Sequence, residues 1–168
     1  MAHYEILIVG GGPAGYTAAL YAARSGRKTA VVEKLSPGGQ MATTSVIDNY
    51  PGFPDGVDGF ELGEKMEQQA RKYGAETIYA EVTGADLAAV PKVLTTSEGE
   101  FTADAVILAT GAYPRELGLP GESELRGRGI AYCAACDGMM YRGKVVAVNG
   151  GGNTAVEDAL YLAGICRS

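Results

Sequence analysis

The sequence is short of basic residues and long apolar runs, and each shortage argues against a class of protein. Fourteen Lys and Arg stand against twenty Asp and Glu, giving a net charge of −6. This balance argues against a nucleic-acid partner, which needs a basic face. No run of about 18 apolar residues is present, so we expect no membrane-spanning helix. The N-terminus lacks the basic and apolar regions of a signal peptide, so we expect the protein in the cytoplasm.

Cysteine and histidine are also scarce. The three cysteines include Cys133 and Cys136, a C-x-x-C pair that fits a reducing compartment better than a secreted framework. Zinc would need more cysteines or paired histidines, and His3 is the one histidine. A C-x-x-C pair can instead attack a disulfide and resolve the mixed disulfide, with Asp137 as the acid. Two inert buried thiols remain an alternative, and Cys166 is interpreted as a spare thiol at a helix end.

Glycine is abundant, with 25 residues, and the first cluster has the spacing Gly10-x-Gly12-x-x-Gly15. It lies between an apolar run and a helical pattern, where a dinucleotide fingerprint belongs. The three glycines would permit the tight turn, the approach of a pyrophosphate and close helix packing, with phosphate at the helix N-terminus. Glu33 ends the next apolar run, where its carboxylate is suited to hold a ribose hydroxyl of the dinucleotide. The alternative is a glycine turn that only packs a helix.

A second cluster, Gly150-x-Gly152-x-x-Ala155, repeats the pattern, and alanine is an accepted third residue. The residue that would recognise the adenosine ribose should lie about 20 residues further on, so this cluster does not separate NADH from NADPH. Because the C-x-x-C pair lies just before it, the pattern suggests that electrons pass from a dinucleotide to a disulfide.

Hydrophobic periodicity predicts alternating strands and helices, hence an α/β fold. The predicted strands are residues 4–9, 29–32, 76–83, 85–89, 93–97, 101–109 and 144–148. The predicted helices are residues 13–23, 60–73 and 154–163. Residues 36–54 form a predicted functional loop, and residues 118–129 a connector between domains.

With these motifs, the chain closely resembles the bacterial low-molecular-weight thioredoxin reductases over essentially all of its length. The matching stretches are residues 10–19 (GGGPAGYTAA), 38–40 (GGQ), 48–52 (DNYPG), 109–112 (ATGA), 133–138 (CAACDG), 141–142 (YR) and 150–157 (GGGNTAVE). A cysteine motif just before the second glycine fingerprint is specific to this family and its close relatives.

The resemblance implies two Rossmann-like dinucleotide-binding domains, an FAD domain at residues 1–114 and an inserted NADPH domain starting at residues 115–168. It implies a homodimer in which NADPH reduces FAD, FAD reduces the cysteine pair, and the dithiol reduces thioredoxin. The implied catalytic residues are Cys133, Cys136 and Asp137, and either cysteine could attack thioredoxin. The implied cofactor-binding residues are Gly10, Gly12, Pro13, Ala14, Gly15, Glu33, Lys34, Gly39, Gln40, Asn49, Val82, Thr110, Gly111, Gly150, Gly152, Asn153, Thr154 and Ala155.

Members of this family are considerably longer, so we expect a fragment with an incomplete second domain and no NADPH-driven turnover. Three alternatives stay open. The protein could reduce a peroxiredoxin-type partner, it could draw electrons from ferredoxin or reduced flavin, or it could be a truncated flavin-binding remnant without turnover.

Overall fold

A computed structural model describes residues 1–167 and groups the chain into two compact units, Met1–Ala112 and Tyr113–Ser168. The first unit is built on a six-stranded sheet with the strand order β3-β2-β1-β6-β5-β4. Its strands are β1 (Ala2–Val9), β2 (Thr29–Glu33), β3 (Glu76–Tyr79), β4 (Val82–Asp86), β5 (Lys92–Thr96) and β6 (Gly99–Leu108). β3, β2, β1 and β6 are parallel, so their carboxyl ends lie along one edge. β4 and β5 continue from β6 as an antiparallel meander.

Two helices of the first unit pack against the parallel strands. They are α1 (Pro13–Arg24) and α2 (Gly59–Lys72), and a short 3₁₀ helix spans Gly39–Thr43. Alternation along β1 sends Ile8 toward a cluster that includes Tyr16 of α1 and Ala70 of α2, and sends Leu7 into a second cluster with Leu94 of β5. β1 is therefore covered on both faces, as the central strand of a parallel sheet must be.

β3 and β4 are the two edge strands of the sheet, yet only Ala80 and Glu81 connect them. Because two residues span only a short distance, the two edges must lie close together and the sheet is curled. Ala80 N–H donates to the Glu33 carbonyl of β2 at 2.9 Å, and Ser97 N–H, just after β5, donates to the Glu81 carbonyl at 2.9 Å. The meander is thereby folded back over the cluster around Leu7.

The second unit is mainly helical. It contains α3 (Glu122–Leu125), α4 (Ala134–Asp137), a 3₁₀ helix (Gly138–Tyr141) and α5 (Asn153–Ala163). Its strand-like contacts in the described residues are two isolated bridges, Arg126 with Ile130 and Val145 with Arg167. In residues 1–167, no helix combines the length and apolar character that crossing a bilayer requires.

The α/β class, the Rossmann-like first unit and the three long helices are confirmed. The strand predicted at residues 76–83 is wrong as one element, because the chain leaves β2 after residue 79 and joins β5 from residue 82. The strand predicted at residues 85–89 is displaced, because the Asp86 carboxylate accepts the N–H groups of Ala88 and Ala89 and closes a turn there. The strand predicted at residues 144–148 is wrong, since no segment within residues 1–167 pairs with it beyond the Val145 bridge.

Candidate functional site

The first glycine cluster forms the turn between β1 and α1, and its three glycines have different surroundings. Gly10 has a φ of +106°, and a side chain there would collide with the carbonyl of Ala109 after β6. A side chain at Gly15 would collide with the Gly10 carbonyl, so glycine lets α1 pack onto the turn. A Cβ on Gly12 would meet no described atom within 4 Å. The turn is therefore closed on two sides and open at Gly12, as pyrophosphate binding requires.

The open side of the turn is the N-terminus of α1. Gly12 is the N-cap residue, with extended backbone, and Pro13 occupies the first turn. No side chain among residues 1–167 caps this end, and the first turn carries no acidic residue. The N–H groups of the first turn, Ala14 and Gly15 included, and the positive end of the helix dipole are thus directed at an anion site.

Glu33 ends β2 beside this turn. One carboxylate oxygen accepts the N–H of Gly11 at 2.6 Å, and the other accepts the N–H of Leu35 at 3.0 Å. These bonds fix the carboxylate at the carboxyl edge of the sheet. Each oxygen keeps a free lone pair, so Glu33 can still accept hydrogen bonds from hydroxyl groups.

Two further predicted segments reach the same turn. Gly38 N–H donates to the Gly11 carbonyl at 2.8 Å, and a Cβ on Gly39 would lie 3.3 Å from the Gly12 Cα, which brings the segment carrying Gln40 alongside. On the other side, an ideal Cβ on Gly10 would lie 3.4 Å from the Thr110 Cα, and Gly111 follows with a φ of +70°.

The remaining predicted residues of this unit lie further out. Lys34 forms an ion pair with Glu81 at 2.7 Å, immediately before Val82 at the start of β4. Asn49 is exposed in a loop closed by the bridge between Ile47 and Val57, and no described contact brings it to the glycine turn.

The cysteine pair of the second unit forms a disulfide. Cys133 and Cys136 have Cα atoms 5.3 Å apart, with Cys133 as the N-cap residue of α4. Cys133 is partly buried and Cys136 is exposed, so the alternative of two inert buried thiols is wrong. The Cys136 N–H donates to the Cys133 sulfur at 3.1 Å. One cysteine of the disulfide is thus exposed, and the sulfur of the other accepts a backbone N–H.

Asp137 follows the pair and is partly buried. Burial raises the pKa of its carboxyl above the ordinary value of 3.8, against a smaller opposing effect of the Arg126 charge. The protonated acid is thereby favoured relative to an exposed aspartate, which suits proton donation to a leaving thiolate.

The second glycine cluster forms a turn before α5. Gly150 has a φ of +141°, and a Cβ there would lie 3.0 Å from the Ala155 Cβ, whereas Gly152 is open to at least 4 Å. Gly152 caps α5, and no side chain in the described part of the chain caps this end, so the N–H groups of the first turn, where Asn153 and Thr154 lie, suit an anion.

The geometry of the first turn is compatible with a dinucleotide: it combines an open side at Gly12, an uncapped helix N-terminus and the Glu33 carboxylate at the end of β2, where the motif has its ribose-binding acid. The second turn fits the phosphate part alone, since no described residue supplies its ribose contact.

The sequence motifs included Gly38 but predicted no role for it, for the N–H of Gly11 or for the residues that hold the segment before Cys133. The glycine pair at positions 38 and 39 was a usable signal, because consecutive glycines in a loop mark close backbone approach.

A glycine turn of dinucleotide type and a partly exposed disulfide in one α/β chain are typical of a nucleotide-linked disulfide oxidoreductase. The sequence model of the pyridine nucleotide-disulphide oxidoreductase family matches residues 4–168, and the chain belongs to this family. The family is one of flavin- and nicotinamide-dependent enzymes.

The individual relatives carry two different names. The thioredoxin reductase of Escherichia coli O157:H7 is 48% identical over 97% of this chain and 51% of its own length. A Pseudomonas fluorescens protein named glucosaminate ammonia-lyase is 48% identical over 99% of this chain and 52% of its own length. The crystal structure of thioredoxin reductase from Streptococcus pyogenes superposes with a TM-score of 0.89 at 46% identity, covering 98% of this chain and 54% of the other. The chain spans about half the length of the relatives it matches.

Proposed function

We propose that this protein is a thioredoxin-disulfide reductase, which passes electrons from NADPH through FAD and the Cys133–Cys136 pair to oxidised thioredoxin. The observation that carries this proposal is a partly exposed disulfide in the same chain as a glycine turn that is open at Gly12. The names of the E. coli and S. pyogenes relatives support the choice of thioredoxin.

The first unit is proposed as the FAD domain and the second as the start of the NADPH domain. The FAD phosphates would lie on Gly12 and the first turn of α1, with Glu33 at the ribose and the segments around Gln40 and Thr110 alongside. Lys34, Asn49 and Val82 are proposed as outer contacts. The NADPH phosphates would lie at the N-terminus of α5, in the same way. Bound together, the two cofactors supply hydride transfer.

Different roles are proposed for the two cysteines, supported by one hydrogen bond at the disulfide. The hydrogen bond from the Cys136 N–H favours negative charge on the Cys133 sulfur once the pair is reduced. Cys133 would therefore attack the thioredoxin disulfide, and Cys136 would resolve the mixed disulfide, leaving thioredoxin with two thiols. Asp137 would supply the proton that a leaving thiolate takes up. A homodimer and a cytoplasmic location complete the proposal.

The chain alone is expected to show no NADPH-driven turnover, since it spans about half the length of its relatives. The test is therefore a reductase assay with the protein at the length of those relatives, supplied with FAD, NADPH and oxidised thioredoxin, following both NADPH consumption and new thiols on thioredoxin. We expect the Cys133→Ser variant to lose thioredoxin reduction. The Cys166→Ser variant is the matched control, because Cys166 is a free cysteine outside the pair, and it should keep full activity.

Each alternative has its own outcome in this assay, and each would contradict the proposal. Reduction of a peroxiredoxin-type protein alone would change the partner, and activity with reduced ferredoxin or flavin alone would change the donor. Bound flavin without any turnover would indicate a remnant. Consumption of glucosaminate with no thiols formed would favour the lyase named for the Pseudomonas relative.

A further inference from the structure

The second unit contains a buried carboxylate that the proposed reaction does not use. Glu122, in α3, is 5% exposed. It accepts the Leu117 N–H at 2.7 Å, the Leu119 N–H at 2.9 Å and the hydroxyl of Tyr132. The Tyr132 bond and these backbone bonds lower the pKa of Glu122 to about 2. Glu122 is thus a charged acceptor that ties three parts of the chain together at neutral pH.

Tyr132 immediately precedes Cys133, so the Glu122 carboxylate is hydrogen-bonded to the residue next to the disulfide. The other groups around Tyr132 also restrain this segment. The Arg126 guanidinium lies 5.2 Å from the centre of the Tyr132 ring, and the Ile130 N–H donates to the Leu125 carbonyl at 3.0 Å. The backbone before Cys133 is therefore anchored to α3.

We propose that Glu122 is a positioning residue that acts through Tyr132 to hold Cys133 beside Cys136, so that the pair favours the disulfide form. We call the hydrogen bond between these two side chains the Glu122–Tyr132 clamp. The inference rests on the proposed function in assuming that the pair cycles between disulfide and dithiol.

The direction of the effect follows from effective concentration. A restrained Cys133 keeps the two thiols of the reduced pair close, so the disulfide reforms readily. Without the clamp the reduced pair gains conformational freedom, whereas the disulfide stays held by its covalent S–S bond. The redox equilibrium of the pair therefore shifts toward the dithiol. By reciprocity, reduction of the disulfide must loosen the clamp.

The test equilibrates the full chain in buffers of reduced and oxidised dithiothreitol, then counts thiols at the pair by alkylation and mass spectrometry. Dithiothreitol gives up two electrons and two protons and becomes a cyclic disulfide, while the pair gains two S–H groups. For Tyr132→Phe we expect the equilibrium to shift about threefold to tenfold toward the dithiol, and a tenfold shift corresponds to about 30 mV. Tyr113→Phe, at an 85% exposed tyrosine, is the control and should leave the equilibrium unchanged.

Glu122→Gln should shift the equilibrium in the same direction. The double variant should shift it no further than the larger single change, because the two side chains act as one unit. An unchanged equilibrium in Tyr132→Phe would overturn the proposal. A shift that appears in Glu122→Gln but not in Tyr132→Phe would overturn it too, since the carboxylate would then act by its charge and not through Tyr132.

A measurement on the unaltered chain decides the matter even where a variant fails to fold. We expect the amide hydrogens of Leu117 and Leu119 to exchange faster in the reduced chain than in the oxidised chain. Equal exchange in both states would overturn the clamp. Neither measurement uses flavin, nicotinamide or thioredoxin, so failure of the proposed function and failure of the clamp are separately visible.

Discussion

The Gly12→Ala variant should weaken FAD binding while leaving the fold nearly as stable as in the parent. A Cβ there meets no described atom within 4 Å, and the backbone at φ −80° and ψ −174° suits alanine. Gly12→Ala should therefore cost at most about 1 kcal/mol of stability, the usual penalty for alanine at an N-cap. The new methyl group would nevertheless stand about 1.5 Å out from the backbone, in the space assigned to a phosphate.

The expected loss of affinity follows from the bonds that this displacement breaks. Two hydrogen bonds to a charged phosphate at about 1.5 kcal/mol each amount to about 3 kcal/mol. The Kd for FAD should therefore rise about 100-fold. The assay is titration of the apoprotein with FAD, followed by flavin fluorescence, alongside urea unfolding of each variant.

Gly15→Ala is the matched comparison, because its methyl group would collide with the Gly10 carbonyl. It should cost about 1–3 kcal/mol of stability by overpacking. Folded Gly12→Ala protein that binds FAD as tightly as the parent would refute the assignment of this turn to phosphate.

Three further predictions concern the second unit. With Cys136→Ser, which keeps the backbone donor, Cys133 should react with iodoacetamide faster at neutral pH than Cys136 does in Cys133→Ser; equal rates would remove the basis for naming the attacking cysteine. Burial raises the pKa of Asp137, so its ionisation disfavours the folded state and stability should decline slightly as pH rises through the region just above 3.8. Asp137→Asn should abolish that decline in urea midpoints, and an unchanged profile would contradict it. The pKa of Glu122 is lowered to about 2, so its contribution is present above the ordinary value of 4.5 and is lost as pH falls toward 2. Glu122→Gln should flatten this part of the acid unfolding curve, whereas the exposed Glu124→Gln should not.

The first glycine turn could be predicted from the sequence because its signals are local. An apolar run, three glycines at fixed spacing and a helical pattern specify a strand, a turn and a helix without any knowledge of distant residues. The position of Glu33 followed from the same pattern, and the structure places its carboxylate on the Gly11 N–H.

Distant pairing could not be predicted in the same way. The pattern of residues 76–83 predicts one strand, because nothing in the local sequence indicates that Tyr79 pairs with β2 and Val82 with β5. The apolar run at residues 144–148 satisfies strand propensity, but a strand also needs a partner. The bond between Glu122 and Tyr132 spans ten residues and belongs to no motif, so only the folded chain reveals it.

The most direct test of the central claim is an anaerobic reductive titration of the flavin-loaded protein with dithionite, followed by the flavin absorbance near about 450 nm and by thiol labelling. The account predicts that the protein takes up two more electrons than its flavin alone accepts, and that the new thiols appear at Cys133 and Cys136. Complete bleaching of the flavin with the disulfide left intact would contradict the account, because the pair would then not exchange electrons with the bound cofactor.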